Sequence, residues 1–223
     1  MLPAYLLVHQ GSEWYNHPEM GKFTRKKKSE RVREILDAGI EVFGRKGFRD
    51  TTMEDIISET SLSKGGFYHY FKSTDEIMLA IMESETGVAQ SLILQEIEGV
   101  PVDGLIDAVV SAMMARIFRE NPSKKLFVMF FLEMIYKPEF LELYLELERR
   151  SFGSENPDTP AAKAFDLIVS DERTVFLSRL NTVMILFYHI FPGKALFRKY
   201  SFYIEQLFKK LLTDIVEDGM SRT

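Results

Sequence analysis

The sequence contains no cysteine among its 223 residues. Disulfides, thiolate metal sites and cysteine nucleophiles are therefore excluded, and the reducing cytoplasm is the expected location. Histidine is scarce: His9, His17, His69 and His189 are the only four. None has a carboxylate or second histidine at metal-ligand spacing, so neither a metal site nor a cofactor is expected. His189 lies in an apolar run and reads as a polar group of a core or pocket. No glycine-rich phosphate loop follows a strand, and there is no strand pattern, internal repeat or low-complexity tract. An enzyme is not expected. Long hydrophobic runs are also missing. The longest, Val183 to Phe191, is interrupted by His189 and falls short of the roughly 20 residues that cross a bilayer. The opening MLPAYLLV has no cationic segment before it and no cleavage pattern after it, so it makes a poor signal peptide.

What the chain does have is apolar mass and uneven charge. Hydrophobic residues make up 46%, ample for a core. The net charge is −5. From Lys22 to Asp75 there are twelve cations against nine anions, a surplus of three, so the rest carries eight net negative charges. A basic segment joined to an acidic body suits phosphate contact by one end only. A charged, solvated helix face is the plainer reading of the same residues.

One stretch organises the rest: Thr51 to Phe71, TTMEDIISETSLSKGGFYHYF. Its apolar residues Met53, Ile56, Ile57, Leu62, Phe67, Tyr70 and Phe71 recur at helical spacing. The pattern predicts a helix over 53–60, a turn at Ser61-Leu62-Ser63 and a second helix over 64–71. Thr51 with Glu54 and Thr52 with Asp55 both have capping-box spacing, and Ser63 caps the second helix. The second helix is small, hydroxylic, cationic and aromatic. It is poorly suited to a core and well suited to a DNA groove, which makes the pair a helix-turn-helix. A threonine at the first cap also offers a hydroxyl and free N–H groups to a phosphate. Gly66 costs about 1 kcal/mol relative to alanine in a helix, and a closely approaching backbone or groove wall would explain it.

Upstream, residues 1–21 are expected to be a tail without regular structure. Two readings stand for it: a disordered arm, or translation that naturally begins at Met20. TRKKK (24–28) reads as an arm along the phosphates or as a solvated terminus. A helix of about twenty residues follows, with Val32, Ile35, Leu36, Gly39, Ile40 and Phe43 on one stripe. Gly47-Phe48 should end it with a left-handed cap and an apolar lock.

Downstream, Ser73 and Glu76 form another capping box for a helix predicted over 74–98. At 1.5 Å per residue it spans roughly 37 Å, enough to leave the first domain and enter the second. GVPVDG (99–104) breaks the pattern. Five helical segments follow, over 105–120, 123–136, 139–150, 161–191 with a bend near Ser170-Asp171, and 194–216. The expected domains are 1–21 as tail, 22–75 as a helix-turn-helix domain, and 76–223 as a larger helical ligand-binding and dimerisation domain. The fold class is all-α.

The second domain is rich in aromatics and methionines. Phe127, Phe130, Phe131 and Met134 lie on a helix that is apolar nearly all round, which marks it as buried. Met113, Phe118, Tyr144, Phe165 and Phe187 add to the excess. Plain core accounts for any one of them; the set together is the candidate lining of an apolar ligand cavity, with methionine as adaptable wall. The last two helices are apolar on more than one face. The surplus points to a partner helix pair, hence a homodimer built as a four-helix bundle.

From Arg31 to Ile81 the sequence resembles the tetracycline-repressor (TetR) family of transcriptional regulators. The resemblance rests on Phe43…Gly47-Phe48, then Thr51-Thr52-Met53-x-Asp55-Ile56, then the unbroken run Ser63 to Ser73, SKGGFYHYFKS. It covers about a quarter of the chain. It implies a homodimer on a palindromic double-stranded DNA operator and a small effector, here apolar, bound by the C-terminal domain. Carried over by position, Thr52 would hold a phosphate; Ser63, Lys64 and Gly65 would enter the major groove; and Tyr68, His69 and Lys72 would touch backbone or bases. Two departures from the family pattern stand out. A longer polar residue is common where Gly66 stands, and lysine is common where Thr74 stands. The expected function is a repressor that releases its operator when the effector binds. The alternative is a constitutive DNA-binding or protein-interaction protein of the same fold with no effector.

Overall fold

The structure, a computed structural model, describes residues 22–97, 99–150, 165 and 168–221. The expected tail, 1–21, and the polar loop at 151–160 lie outside the described residues. Among those described, every regular element is a helix. None of these helices is long and apolar enough to cross a membrane.

In chain order they are α1 (Lys22–Lys46), α2 (Met53–Ile57), α3 (Lys64–Tyr70), α4 (Thr74–Ile97), α5 (Val102–Phe118), α6 (Ser123–Glu133), α7 (Pro138–Arg150), α8 (Glu172–Ile190), α9 (Lys194–Lys199) and α10 (Ser201–Ser221). Helix α2 is shorter than the apolar spacing predicts. The hydroxyls of Ser58 and Thr60 donate to the carbonyls of Asp55 and Ile57 and close the chain into turns. These are the backbone-competing bonds that make such residues poor helix formers. The bend expected near Ser170-Asp171 is a helix start. Asp171 caps α8, its carboxylate accepting from the Arg173 N–H at 2.9 Å. The single last helix expected over 194–216 is two helices, interrupted at Tyr200.

The helices form two compact units. Unit 1 takes the chain up to Glu85 together with Lys125–Phe140, and unit 2 takes Thr86–Lys124 and Leu141–Thr223. The division differs from a boundary at 75. Helix α4 leaves unit 1 about three turns after it starts, and nearly all of α6 belongs with the helix-turn-helix.

Unit 1 has a filled core. Ile35, Val42 and Phe43 on α1, Ile56 on α2, Phe67 on α3, and Ile77 and Met78 on α4 are fully buried. Burying each such side chain contributes about 1.5–3 kcal/mol. Helices α1 and α4 meet at Gly39, where a Cβ would stand 2.9 Å from Ile77 Cγ2. Gly47, at φ 87°, ends α1 in the left-handed conformation, its N–H donating to the Phe43 carbonyl at 2.9 Å. Phe48 then packs on Phe43, ring centroids 5.3 Å apart. The 125–140 segment continues this core: Phe140 meets Phe48 edge-on at 5.8 Å and stacks on Phe130 at 5.2 Å. Two polar ties hold the same segment. Arg49 Nε donates to the nearly buried Glu133 carboxylate at 2.6 Å, and Lys137 pairs with Asp75.

Unit 2 is built around α5, which packs against both α8 and α10. Leu105, Val109 and Ile117 on α5 are buried, as are Leu177, Ile185 and Tyr188 on α8 and Phe208, Leu212 and Ile215 on α10.

Candidate nucleic-acid interface

The reader element is held from three sides. At its start Thr52 caps α2 with a full capping box. The Thr52 hydroxyl accepts from the Asp55 N–H at 3.2 Å, while the Thr52 N–H donates to the Asp55 carboxylate at 2.8 Å. Lys46, at the end of α1, reaches the same carboxylate at 2.6 Å. That contact, with the two from Thr52, holds the Asp55 carboxyl well below the usual carboxylate range. The Thr51 hydroxyl is buried and donates to the Gly47 carbonyl at 2.7 Å. Of the two candidate caps, Thr52 therefore caps the helix and Thr51 locks the preceding turn.

The turn itself is tethered to α1. Glu34 accepts from the Ser61 N–H at 2.6 Å, and Arg31 donates to the Ser61 hydroxyl at 2.6 Å and to Glu34 at 2.7 Å. The bonds from Ser61, with Arg31 added, lower the Glu34 pKa to about 2. Arg45 ties the C-terminal side of α2 through Glu59 at 2.8 Å. Sequence reasoning missed this set. Arg31 and Glu34 are visible as a helix-spaced pair, but nothing in the sequence says that both close on a serine thirty residues away.

Helix α3 carries most of the residues expected to touch DNA. Ser63 caps it, its hydroxyl accepting from the Gly66 N–H at 3.2 Å. Phe67 anchors it from beneath, fully buried. Ser63, Lys64, Gly65, His69 and Lys72 are exposed, as is Thr52, and Tyr68 is half-buried. All seven candidate DNA-contact residues therefore lie in unit 1 on or beside α2 and α3. Lys64 pairs with the exposed Glu54 at 2.7 Å and lies 6.0 Å over the Tyr68 ring. Lys72 Nζ bonds the Tyr68 carbonyl at the end of α3, where the helix dipole favours a cation. The Lys72 N–H donates to Glu76 at 2.7 Å and the Glu76 N–H to Ser73 at 3.2 Å, so the capping carboxylate at the start of α4 reaches one residue further back than a capping box does. Gly66 has a local reason: a Cβ there would sit 3.2 Å from the Ser63 hydroxyl that caps the helix. Gly65 faces open space, so its bareness leaves room for something outside the chain.

Residues 35–81 match the family model of the bacterial regulatory proteins of the tetR family. Over those residues the chain carries the N-terminal segment of that family. Its matched segment is α1 to early α4, the same helices that hold the reader. Among relatives, the chain is 46% identical over 71 residues to YfiR of Bacillus subtilis, an uncharacterised HTH-type transcriptional regulator, covering 32% of this chain and 34% of that one. It is 32% identical over 78 residues to UidR of Escherichia coli K12, an HTH-type transcriptional regulator, covering 34% and 40%. The matches thus span less than half the length of these relatives. In three dimensions, Salmonella enterica GusR superposes with a TM-score of 0.53 at 19% identity, over 83% of this chain and 95% of that one. At that identity the likeness is one of fold.

The candidate ligand residues divide between the two units. Phe127, Phe130, Phe131 and Met134 lie in unit 1. Phe130 is buried under the Phe48–Phe140 contact, and Phe127 and Phe131 meet edge-on at 4.9 Å. Met113, Phe118, Tyr144, Phe165 and Phe187 lie in unit 2. Phe165 is buried; Met113, Phe118 and Tyr144 are partly so. Phe187 is 44% exposed and stacks on Phe191 at 4.1 Å along the outer side of α8. The nine thus fall in both units, and α6, expected to be buried all round, is buried on one face at Leu126 and Phe130 while Leu132 is 55% exposed.

Proposed function

We propose that the chain is a DNA-binding transcriptional regulator that grips a palindromic operator as a homodimer and lets go when a small effector binds unit 2. The observation that carries the reading is helix α3. It is capped, anchored by Phe67 and tied to α1 through its turn, yet Lys64, Gly65 and His69 on it stay exposed to a groove. Thr52 stands exposed at the N-terminus of α2, its hydroxyl donating to the Asp55 carboxylate, a bond that a phosphate contact would exchange. Lys64 exchanges its surface partner Glu54 for a base or phosphate on binding. Repression and a cytoplasmic location follow the family habit.

The dimer reading rests on outward apolar surface in unit 2. Phe176, Val183 and Phe187 on α8 are exposed and fall on one stripe, as do Tyr203 and Leu207 on α10. A second copy pairing these two helices would bury both stripes in a four-helix bundle. Two readers must then sit about 34–36 Å apart to meet successive major grooves. An effector that favours another spacing lowers operator affinity, provided it binds that spacing better.

The test is selection of bound sequences from random duplex DNA, followed by footprinting. The expected result is a two-fold symmetric site whose affinity falls steeply with salt. Lys64→Ala should lower affinity for that site about tenfold while changing binding to random DNA less. Recovery of no sequence preference, or a salt-independent affinity, would overturn the reading.

A further inference from the structure

Unit 2 contains a cluster of polar side chains between α5, α7 and α8 whose members satisfy one another, with one exception. Arg179 grips the Glu148 carboxylate at 3.0 and 3.2 Å. Tyr144 lies 3.4 Å from the same carboxylate and shares a hydrogen bond with the buried Thr182. Asn181, also buried, donates to the Met113 carbonyl at 3.1 Å. The exception is Arg116, on α5 one turn after Met113. Its guanidinium forms no ion pair or side-chain hydrogen bond with any described residue, and the phenol of Tyr144 is the ionisable group it feels. Burial pushes its pKa down, a direction that a paired guanidinium does not show, as Arg173 and Arg179 in the same unit illustrate.

Arg116 is deeply surrounded by protein yet keeps an intermediate accessible surface. The combination places the guanidinium in a recess among its neighbours that small solutes still reach. The Glu148 carboxylate of this cluster is already taken by Arg179, so among the described residues no acid pairs with Arg116.

We infer that Arg116 is the anchor of an anion site in unit 2, and that the effector is a small organic carboxylate whose apolar body lies against the Met113 side. This deepens the effector reading proposed above and rests on it for its regulatory meaning. The guanidinium fork matches a carboxylate in two parallel N–H···O bonds. The Tyr144 phenol stands where a third polar contact can form, and Met113 supplies a polarisable, adaptable wall. The expected effector is thus amphipathic, with its charge inside the protein.

The experiment uses the full-length chain and thermal-shift titration with decanoate and 4-phenylbutanoate, each beside its carboxamide, and with inorganic phosphate, all to about 1 mM. The expected result is stabilisation by at least one carboxylate, none by its carboxamide, and a loss of about tenfold or more in that affinity in Arg116→Gln. Equal binding of acid and amide, equal stabilisation by phosphate, no response to either acid, or unchanged affinity in Arg116→Gln would each overturn the assignment. Arg116→Met without ligand guards against a variant that merely misfolds: removing an unpaired enclosed charge should leave the melting temperature level or higher. A fall of about 5 °C or more would make Arg116 a structural residue and sink the proposal. Operator binding by the wild type, measured without ligand, decides the regulator reading separately. Its absence beside intact carboxylate binding would end that reading and leave the anion site standing.

Discussion

Unit 1 and unit 2 both pair most of their charges, but they differ in the polar groups left over. In unit 1 the charges around the reader close on nearby partners: Lys46 on Asp55, Arg45 on Glu59, Arg31 on Glu34 and Ser61, Arg49 on Glu133. In unit 2, among the described residues, Arg116 has no counter-ion and the buried His189 Nε2 has no hydrogen-bond partner. The apolar residues show the same contrast. Those beneath α3 are sealed, whereas α8 and α10 turn whole stripes outward. A region that presents one surface in one geometry satisfies itself. On the proposed reading, the other region keeps groups whose partners come from elsewhere, a carboxylate for one and a second chain for the other.

The contrast can be broken first at Phe67, which is fully buried under the reading helix. Phe67→Ala should cost about 3–5 kcal/mol and abolish operator binding. Calorimetry of the variant should show the loss in the transition that includes unit 1. A melting curve unchanged from wild type would mean that this core is not sealed. The second test lies on the outward stripe of unit 2. Val183→Arg should yield monomers by light scattering and weaken operator affinity by about 100-fold, because the second half-site is no longer delivered by the first. Retention of the dimer would remove α8 from the interface.

A smaller effect is expected where α1 and α4 touch. Gly39→Ala places a Cβ 2.9 Å from Ile77 Cγ2, so the helices must part slightly, at about 1–3 kcal/mol. Thermal denaturation reads it, and a neutral result would show the contact to be loose. The smallest effect concerns acid. Glu34 has a carboxyl lowered from 4.5 to about 2 by its bonds to Ser61 and Arg31. A depressed folded pKa stabilises above the unfolded value, and that stability is lost as pH falls through the folded one. Wild type should therefore lose stability between these values relative to Glu34→Gln, as parallel melts from pH 5 to pH 2 would reveal. Parallel curves over that range would show the tether to be incidental.

Much of the reader was legible because its signals are local. Thr52 with Asp55, Ser63 ahead of the second helix, and Gly47 after the first each act within four residues, and the structure forms all three caps. The tether from Arg31 and Glu34 to Ser61 was not legible, since it depends on how α1 crosses the turn. Unit 2 was read less far for the same reason. Phe130 on α6 has the composition of a ligand wall, yet it stacks on Phe140, which meets Phe48. Arg116 has the look of an ordinary solvated charge on an amphipathic helix. Only the side chains of α7 and α8, brought alongside from far along the sequence, show that its neighbours are already spoken for.

The placement of residues 125–140 bears on how such a chain can be cut and recombined. The segment completes the DNA-reading unit, supplying Phe130, Phe140, Glu133 and Lys137, yet it is encoded between two stretches of the responsive unit. A fragment ending at Glu85 would lack those four side chains. A chimaera that exchanges responsive units between relatives at that point would import a foreign floor for its own reader. Grafting must therefore move two separated pieces of sequence together, so the reader and the responder are not inherited as independent modules.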